Sequence, residues 1–305
     1  PGLSSAPMNL LAQVFAHLAP EKTVRYMLDT LRERAGLERR SITLPGGLQY
    51  VYLEGGRGEP LMLLHGFGGN KDNFNTIARH LTPHYRVIVP DHIGFGESAK
   101  PMEADYSTDA QAERLLALAQ ALGAPALHLG GNSMGGHIAL AFAARYPQAV
   151  KSLWLLAPGG VWSAPLSELA QMVKAGGDNP LLVRSAEDFA RTLAFTVAKL
   201  PEVPMPYIQV MAKERMANHA LEQRVYQQIK ADPVEARAGT VKAPSLIVWG
   251  EEDRVLHPGA GPILQGLMPQ AELIRMHGVG HLPMIERPQE CADDYLRFRA
   301  QARAG

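Results

Sequence analysis

At 305 residues, with 46% hydrophobic and 20% charged side chains, the chain lies in the ordinary globular range, which excludes collagen, coiled coil and wholesale disorder. Thirty Lys plus Arg balance 30 Asp plus Glu, so the net charge is +0 and no global field gathers nucleic acid or a strongly charged substrate. The one cysteine, Cys291, excludes an intramolecular disulfide and a cysteine-based zinc cluster, and it suits either redox compartment.

The chain starts at Pro1 rather than Met, so a removed signal or membrane anchor is one expectation. Apolar Leu10, Leu11, Val14, Phe15 and Leu18, then Val24, Met27, Leu28 and Leu31, recur at helical spacing and predict two amphipathic helices. The second opens at Pro20 and Glu21. Residues 8–19 carry no charge, while Arg25, Arg32, Arg34, Arg39 and Arg40 lie on or beside the second helix. Residues 1–40 therefore read as an N-terminal helical segment that either meets a membrane surface or packs on its own domain. No stretch reaches the ~18 uncharged apolar residues of a membrane span.

Residues 41–44 and 48–53, joined across Pro45-Gly46-Gly47, predict an antiparallel hairpin that starts a sheet. Short apolar runs at 61–64, 87–89, 126–129, 153–156 and 246–249, bounded by Gly, Pro or Asp, predict strands buried on both faces. Helical stretches at 108–122 and 134–146 alternate with them, which is the pattern of βαβ units and a mostly parallel sheet. A last strand is expected at 272–276. The alternation breaks between 158 and 243, far more chain than the dozen or so residues a crossover needs. Helical patterning at 166–175, 186–199, 206–217 and 220–230 makes this insertion a helical cap, with 41–157 and 244–305 forming the catalytic domain.

Gly131-Asn132-Ser133-Met134-Gly135 follows one of these strands and opens a helix. Glycines on either side of a serine permit a sharp strand-to-helix turn that exposes the hydroxyl, and chance yields such a pattern only about 0.1 times in a chain of this length. An activated serine needs a base, and the base needs an orienting acid; on a strand-turn-helix scaffold these follow in the order Ser, acid, His. Gly250-Glu251-Glu252-Asp253 comes after the next strand, with Asp253 the preferred acid because Glu251 and Glu252 read more easily as solvated loop residues, and with Glu252 held in reserve. His281, in Gly278-Val279-Gly280-His281, is the base, whereas His277 at the strand end reads as structural. The Met134 amide and the Phe67 amide, from His65-Gly66-Phe67-Gly68-Gly69, are the candidate oxyanion donors, and His65 reads as a residue that holds that loop. This chemistry calls for no metal and no organic cofactor.

Taken together, His65 to Asp72, Asp91-His92-Ile93-Gly94-Phe95-Gly96-Glu97-Ser98, Gly131 to Gly136, Trp249 to Val255 and Gly280-His281 resemble the α/β-hydrolases from about Ser41 onward. The Asn70-Lys71-Asp72 extension and Val248 to Leu256 resemble more narrowly the bacterial lipase-like esterases and the monoacylglycerol lipase branch. Some relatives are membrane-anchored, among them a dimeric bacterial phospholipase A. The resemblance implies a carboxylic-ester hydrolase that forms an acyl-enzyme on Ser133 and acts on a small-molecule or lipid acyl ester such as a monoacylglycerol or phospholipid. It also implies contact with a membrane surface, a homodimer, and a membrane-associated or periplasmic place, although composition equally permits the cytoplasm. The competing reading is a carbon–carbon bond hydrolase of ring-cleavage products, which Gly131 to Gly136 and Pro158-Gly159-Gly160 also resemble. Leu282 stands where those relatives carry Trp, and Phe67-Gly68-Gly69 where they carry a Gly-Pro-Gly-like loop, and both departures weigh against it.

Overall fold

Runs of leucine, valine and isoleucine fold into an eight-stranded sheet of order β1-β2-β4-β3-β5-β6-β7-β8. The computed structural model describes residues 19–304, so the apolar stretch expected at 8–18 lies outside the described residues. The strands are β1 (Leu37–Thr43), β2 (Gln49–Gly55), β3 (Pro60–Leu64), β4 (Arg86–Pro90), β5 (Leu127–Asn132), β6 (Val150–Leu156), β7 (Ser245–Gly250) and β8 (Ala271–Met276). β1 and β2 pair antiparallel, β2 also meets β4 antiparallel, and all pairs from β4 to β8 are parallel.

Strand periodicity divides the core into two layers, because successive side chains point to opposite faces. Met62, Leu64, Leu153, Leu155, Ile247 and Trp249 join one buried cluster. Their neighbours Leu61, Leu63, Trp154, Leu156, Leu246 and Val248 join the other. The first layer is closed by α3 (Thr108–Ala121), α4 (Met134–Arg145) and α10 (Ala260–Leu267), the second by α2 (Asn75–Leu81), the short α11 (Pro283–Glu286) and α12 (Pro288–Ala304). Trp154 and Tyr295 stack there with ring centroids 4.3 Å apart.

Between β6 and β7 run α5 (Glu168–Lys174), α6 (Ala186–Thr196), α7 (Met205–Ala217), α8 (His219–Lys230) and the short α9 (Glu235–Ala238). Helix α6 stops short of the expected residue 199: Val197 is extended, and the Thr196 carbonyl is taken by the amide of His281, 2.8 Å away.

The amino-terminal region departs from expectation in two ways. Helix α1 (Pro20–Arg34) starts with Pro as expected, but it ends at Gly36 (φ 66°), and β1 begins at Leu37, so residues 37–40 are strand. The sequence hides this because Glu38, Arg39 and Arg40 sit exposed on an edge strand, where charge guards against further pairing. Several arginines read as a basic face are also consumed by ion pairs. Arg32 grips Asp72 through Nε and Nη2 at 2.7 and 2.8 Å, Arg39 meets Glu97 at 2.8 Å, and Arg40 meets Glu54 at 3.1 Å. Among the described residues no helix is long and apolar enough to cross a membrane.

Lys71, almost wholly buried, lies within 2.9 Å of Asp91 and 2.7 Å of Glu97. Burial works against ionisation of Glu97, but the Arg39 and Lys71 hydrogen bonds and charges outweigh it and pull its pKa from 4.5 to about 2. The unfolded chain thus takes up this proton near pH 4.5 and the folded chain only near pH 2, so the stabilisation is complete above pH 4.5 and drains away as pH falls to about 2. Thermal unfolding across that window should fall more steeply for the native chain than for Glu97→Gln; parallel curves would show that Glu97 contributes nothing.

Candidate active site

Ser133 sits in the turn between β5 and α4 with φ 55° and ψ −117°, a conformation that L-residues occupy only when their surroundings enforce it. Its amide donates to the Leu156 carbonyl at 3.0 Å, and its carbonyl accepts from the His137 and Gly159 amides at 2.9 and 3.0 Å. The flanking glycines are a packing requirement. A Cβ on Gly131 would strike the Gly135 carbonyl, and one on Gly135 would strike the Leu64 carbonyl. The turn can be this tight only because both side chains are missing.

Asp253 lies in the loop after β7, and its carboxylate is wholly buried. Its Oδ1 accepts from the Val255 and Leu256 amides at 2.8 and 3.0 Å, and its Oδ2 from Trp249 Nε1 at 3.1 Å. The same Oδ2 is 2.8 Å from His281 Nδ1. With three donors already fixing the carboxylate, the imidazole is held in the tautomer whose Nδ1 carries hydrogen, which leaves Nε2 as the basic atom. His281 and Ser133 line one cavity together with Phe67.

Of the other candidates, Glu252 accepts from the Val279 amide at 2.9 Å, so it braces the loop that carries His281 and does not touch the imidazole. His277 is exposed beside Glu251, 3.3 Å away. His65 is buried under the Phe67 loop: Nε2 accepts from the His92 amide at 3.0 Å, which requires Nδ1 to donate to the Gly66 carbonyl at 2.8 Å. Burial lowers its pKa below the ordinary 6.5, which preserves that neutral arrangement.

The Gly66 carbonyl accepts a second bond from the Gly69 amide at 3.1 Å. Because a peptide group is planar, two donors on that oxygen fix the direction of the Phe67 N–H. Met134 is the first residue of α4, where an amide has no acceptor within its own helix and the positive end of the helix dipole adds to its pull on an anion.

Two residues escaped the sequence reading. Asn132 Nδ2 donates to the Leu156 carbonyl at 2.9 Å and to the His281 carbonyl at 3.0 Å, joining the turn of Ser133 to the loop of His281. Glu286 accepts from the Gly280 amide at 3.0 Å, the Leu282 amide at 3.3 Å and the Ala198 amide at 2.8 Å, clasping both sides of His281. Burial raises its pKa above 4.5 although those amides pull the other way. The role of Asn132 depends on carbonyls of distant segments, and Glu286 joins the nearby Gly280 and Leu282 amides to the Ala198 amide of the distant insertion, a meeting that no spacing signals.

Two cavities meet at Ser133 and Phe67. The larger, ≈ 490 Å³, is lined by Val161, Trp162, Leu166, Leu169, Val173, Ile229 and Leu256, with His137 and His257 among the few polar groups. The smaller, ≈ 90 Å³, is bordered by Asn70, Asn73, Thr192, Tyr207 and Arg215. A third, ≈ 500 Å³, lies among Asp178, Arg184, Asp188, Arg191 and Arg254 and touches no predicted site residue. Among the described residues no group of three or more His, Cys, Asp or Glu is placed to hold a metal ion.

Known proteins resemble the chain along most of its length. A family model described as alpha/beta hydrolase fold matches residues 59–288. Lipase 1 of Psychrobacter immobilis is 45% identical over 284 residues, covering 91% of this chain and 89% of that protein. Lipase 3 of Moraxella sp. (strain TA144) is 43% identical over 307 residues, covering 97% of each. The crystal structure of a membrane phospholipase A, a bacterial virulence factor, superposes with a TM-score of 0.91 at 37% identity, covering 97% of this chain and 96% of that one.

Changing Asp253 to Asn presents an amide to His281 Nδ1 and favours the wrong tautomer, so kcat should fall by about 10⁴-fold. Glu252→Gln leaves the imidazole's partner in place and should cost no more than about tenfold. Steady-state kinetics on one activated ester compares the two, and equal losses would remove Asp253 from its place as the orienting acid.

Proposed function

The chain belongs to the α/β-hydrolase family and is a carboxylic-ester hydrolase, and on that premise we propose that it cleaves lipid acyl esters through an acyl-enzyme on Ser133. The observation that carries this reading is the meeting of the two cavities at Ser133. The larger chamber suits an acyl chain, while the smaller one, where Asn70, Asn73, Thr192, Tyr207 and Arg215 stand among apolar Phe189, Leu193 and Met211, suits the alcohol that must leave. Burial of an acyl methylene is worth about 0.8 kcal/mol, so the larger chamber provides the binding energy.

In the proposed cycle His281 Nε2 takes the proton of Ser133 Oγ as the oxygen attacks the ester carbonyl. The new oxyanion lies between the Phe67 and Met134 amides, where one such donor is worth about 10²- to 10³-fold in kcat. Protonated His281 then gives its proton to the leaving alcohol, and the acyl group stays on Ser133. Water repeats the sequence: His281 takes its proton, the hydroxide attacks the acyl carbonyl, and the proton returns to Ser133 as the fatty acid departs. Asp253, buried and anchored, stabilises the imidazolium in both halves without itself being protonated.

Contact with a lipid surface through the N-terminal helix belongs to the same proposal. Exposed Tyr26 on α1, and exposed Met205 and Met216 on α7, which packs against α1, support it.

A series of esters differing only in acyl length tests the reading. Each added methylene should raise kcat/KM by about fourfold until the chamber is full, and Ser133→Ala should lose at least about 10³-fold in kcat on every member. A flat response to chain length contradicts the acyl assignment of the larger cavity, and full activity in Ser133→Ala contradicts the mechanism.

A further inference from the structure

Arg215 is a buried arginine on α7, and nothing in the proposed cycle uses it. Its Nε donates to Glu222 Oε1 on α8 at 2.5 Å, its Nη2 to the Leu181 carbonyl at 2.5 Å, and its Nη1 to the Gly68 carbonyl at 3.2 Å. The guanidinium also lies 5.9 Å from the centroid of the Phe67 ring. One side chain thus bolts three inserted segments to the loop that carries the candidate oxyanion donor. The fit is close: Gly68 has φ 69°, and a Cβ there would collide with the guanidinium.

We infer that Arg215 is a positioning residue for the oxyanion hole, an assignment that rests on the proposed acyl-enzyme reaction. The link runs through two peptide planes. Arg215 fixes the Gly68 carbonyl, and with it the Gly69 amide in the same rigid plane. The Gly69 amide donates to the Gly66 carbonyl, which shares its plane with the Phe67 N–H. Loss of the guanidinium frees the first plane, and the second then keeps only the bond from His65 Nδ1. The Phe67 donor therefore depends on the inserted helices being seated, so a chain whose cap has lifted also lacks a fully formed oxyanion hole.

Removing Arg215 alone would leave Glu222 buried without its partner, since Glu222 Oε2 already has none among the described residues. The deciding variant is therefore the double change Arg215→Met with Glu222→Leu, which removes both charges together. It should fold, as judged by circular dichroism and thermal unfolding, with KM for a medium-chain methyl ester, whose alcohol is too small to fill the chamber that Arg215 borders, within about threefold of native and kcat lower by about 10- to 100-fold, part of the cost of losing a donor outright. A trifluoromethyl ketone, which forms a tetrahedral oxyanion on the serine, should lose affinity by the same factor, while a non-hydrolysable ether analogue keeps its affinity. A kcat within twofold of native, or a loss confined to KM, overturns the assignment. Ser133→Ala serves as the control on the premise: if it is inactive while the double variant is fully active, the reaction stands and the role of Arg215 falls.

Discussion

Ser133 holds φ 55° because three backbones converge on it more closely than side chains would allow. Strands β3, β5 and β6 end side by side, the Leu64 carbonyl presses on Gly135, and the Leu156 carbonyl receives the Ser133 amide. A conformation of this kind costs about 1–3 kcal/mol, and the surrounding parallel strands over-determine it. The geometry of Ser133 is thus a property of the sheet, and the loops around it have only to bring partners within reach.

Those loops are fixed by buried polar groups whose partners are mostly backbone. Asp253 is anchored by two amides and an indole, Glu286 by three amides, and Asn132 bridges two carbonyls. On the opposite side Asp91 accepts from the Lys71 amide at 2.7 Å and the Glu97 amide at 2.8 Å while also holding Lys71 Nζ. Arg32 of α1 joins this cluster through Asp72. The N-terminal helix is therefore wired into the segment that follows the oxyanion loop, so its seating bears on the site although it contributes no reacting group. A buried charge left without its partner is expensive, and that penalty keeps these loops in single conformations.

The strands and the elbow were legible in sequence because their signals are local. Short apolar runs bounded by Gly, Pro or Asp and glycine on both sides of Ser133 act over a few residues, while Asp253 and His281 were reached through the chain order that a strand-turn-helix scaffold imposes. Boundaries failed where charge masked structure: residues 37–40 read as an extension of a basic helix, yet they form an edge strand whose arginines pair across the surface. Glu252 looked like a solvated neighbour of Asp253, yet it holds the Val279 amide. Arg215 and Asn132 could not be found in advance, because each acts on backbone atoms of segments far away in the chain, and Glu286 was missed because its link from the nearby Gly280 and Leu282 amides to the distant Ala198 amide has no spacing that encodes it.

In the proposed reaction, chemistry passes through a covalent bond to Ser133. Labelling with a fluorophosphonate, followed by mass analysis of the digested chain, tests it most directly. The account predicts one adduct per chain, on the peptide carrying Ser133, with hydrolysis lost in step with labelling. An adduct on another residue, or full ester hydrolysis by a chain labelled at Ser133, would contradict it.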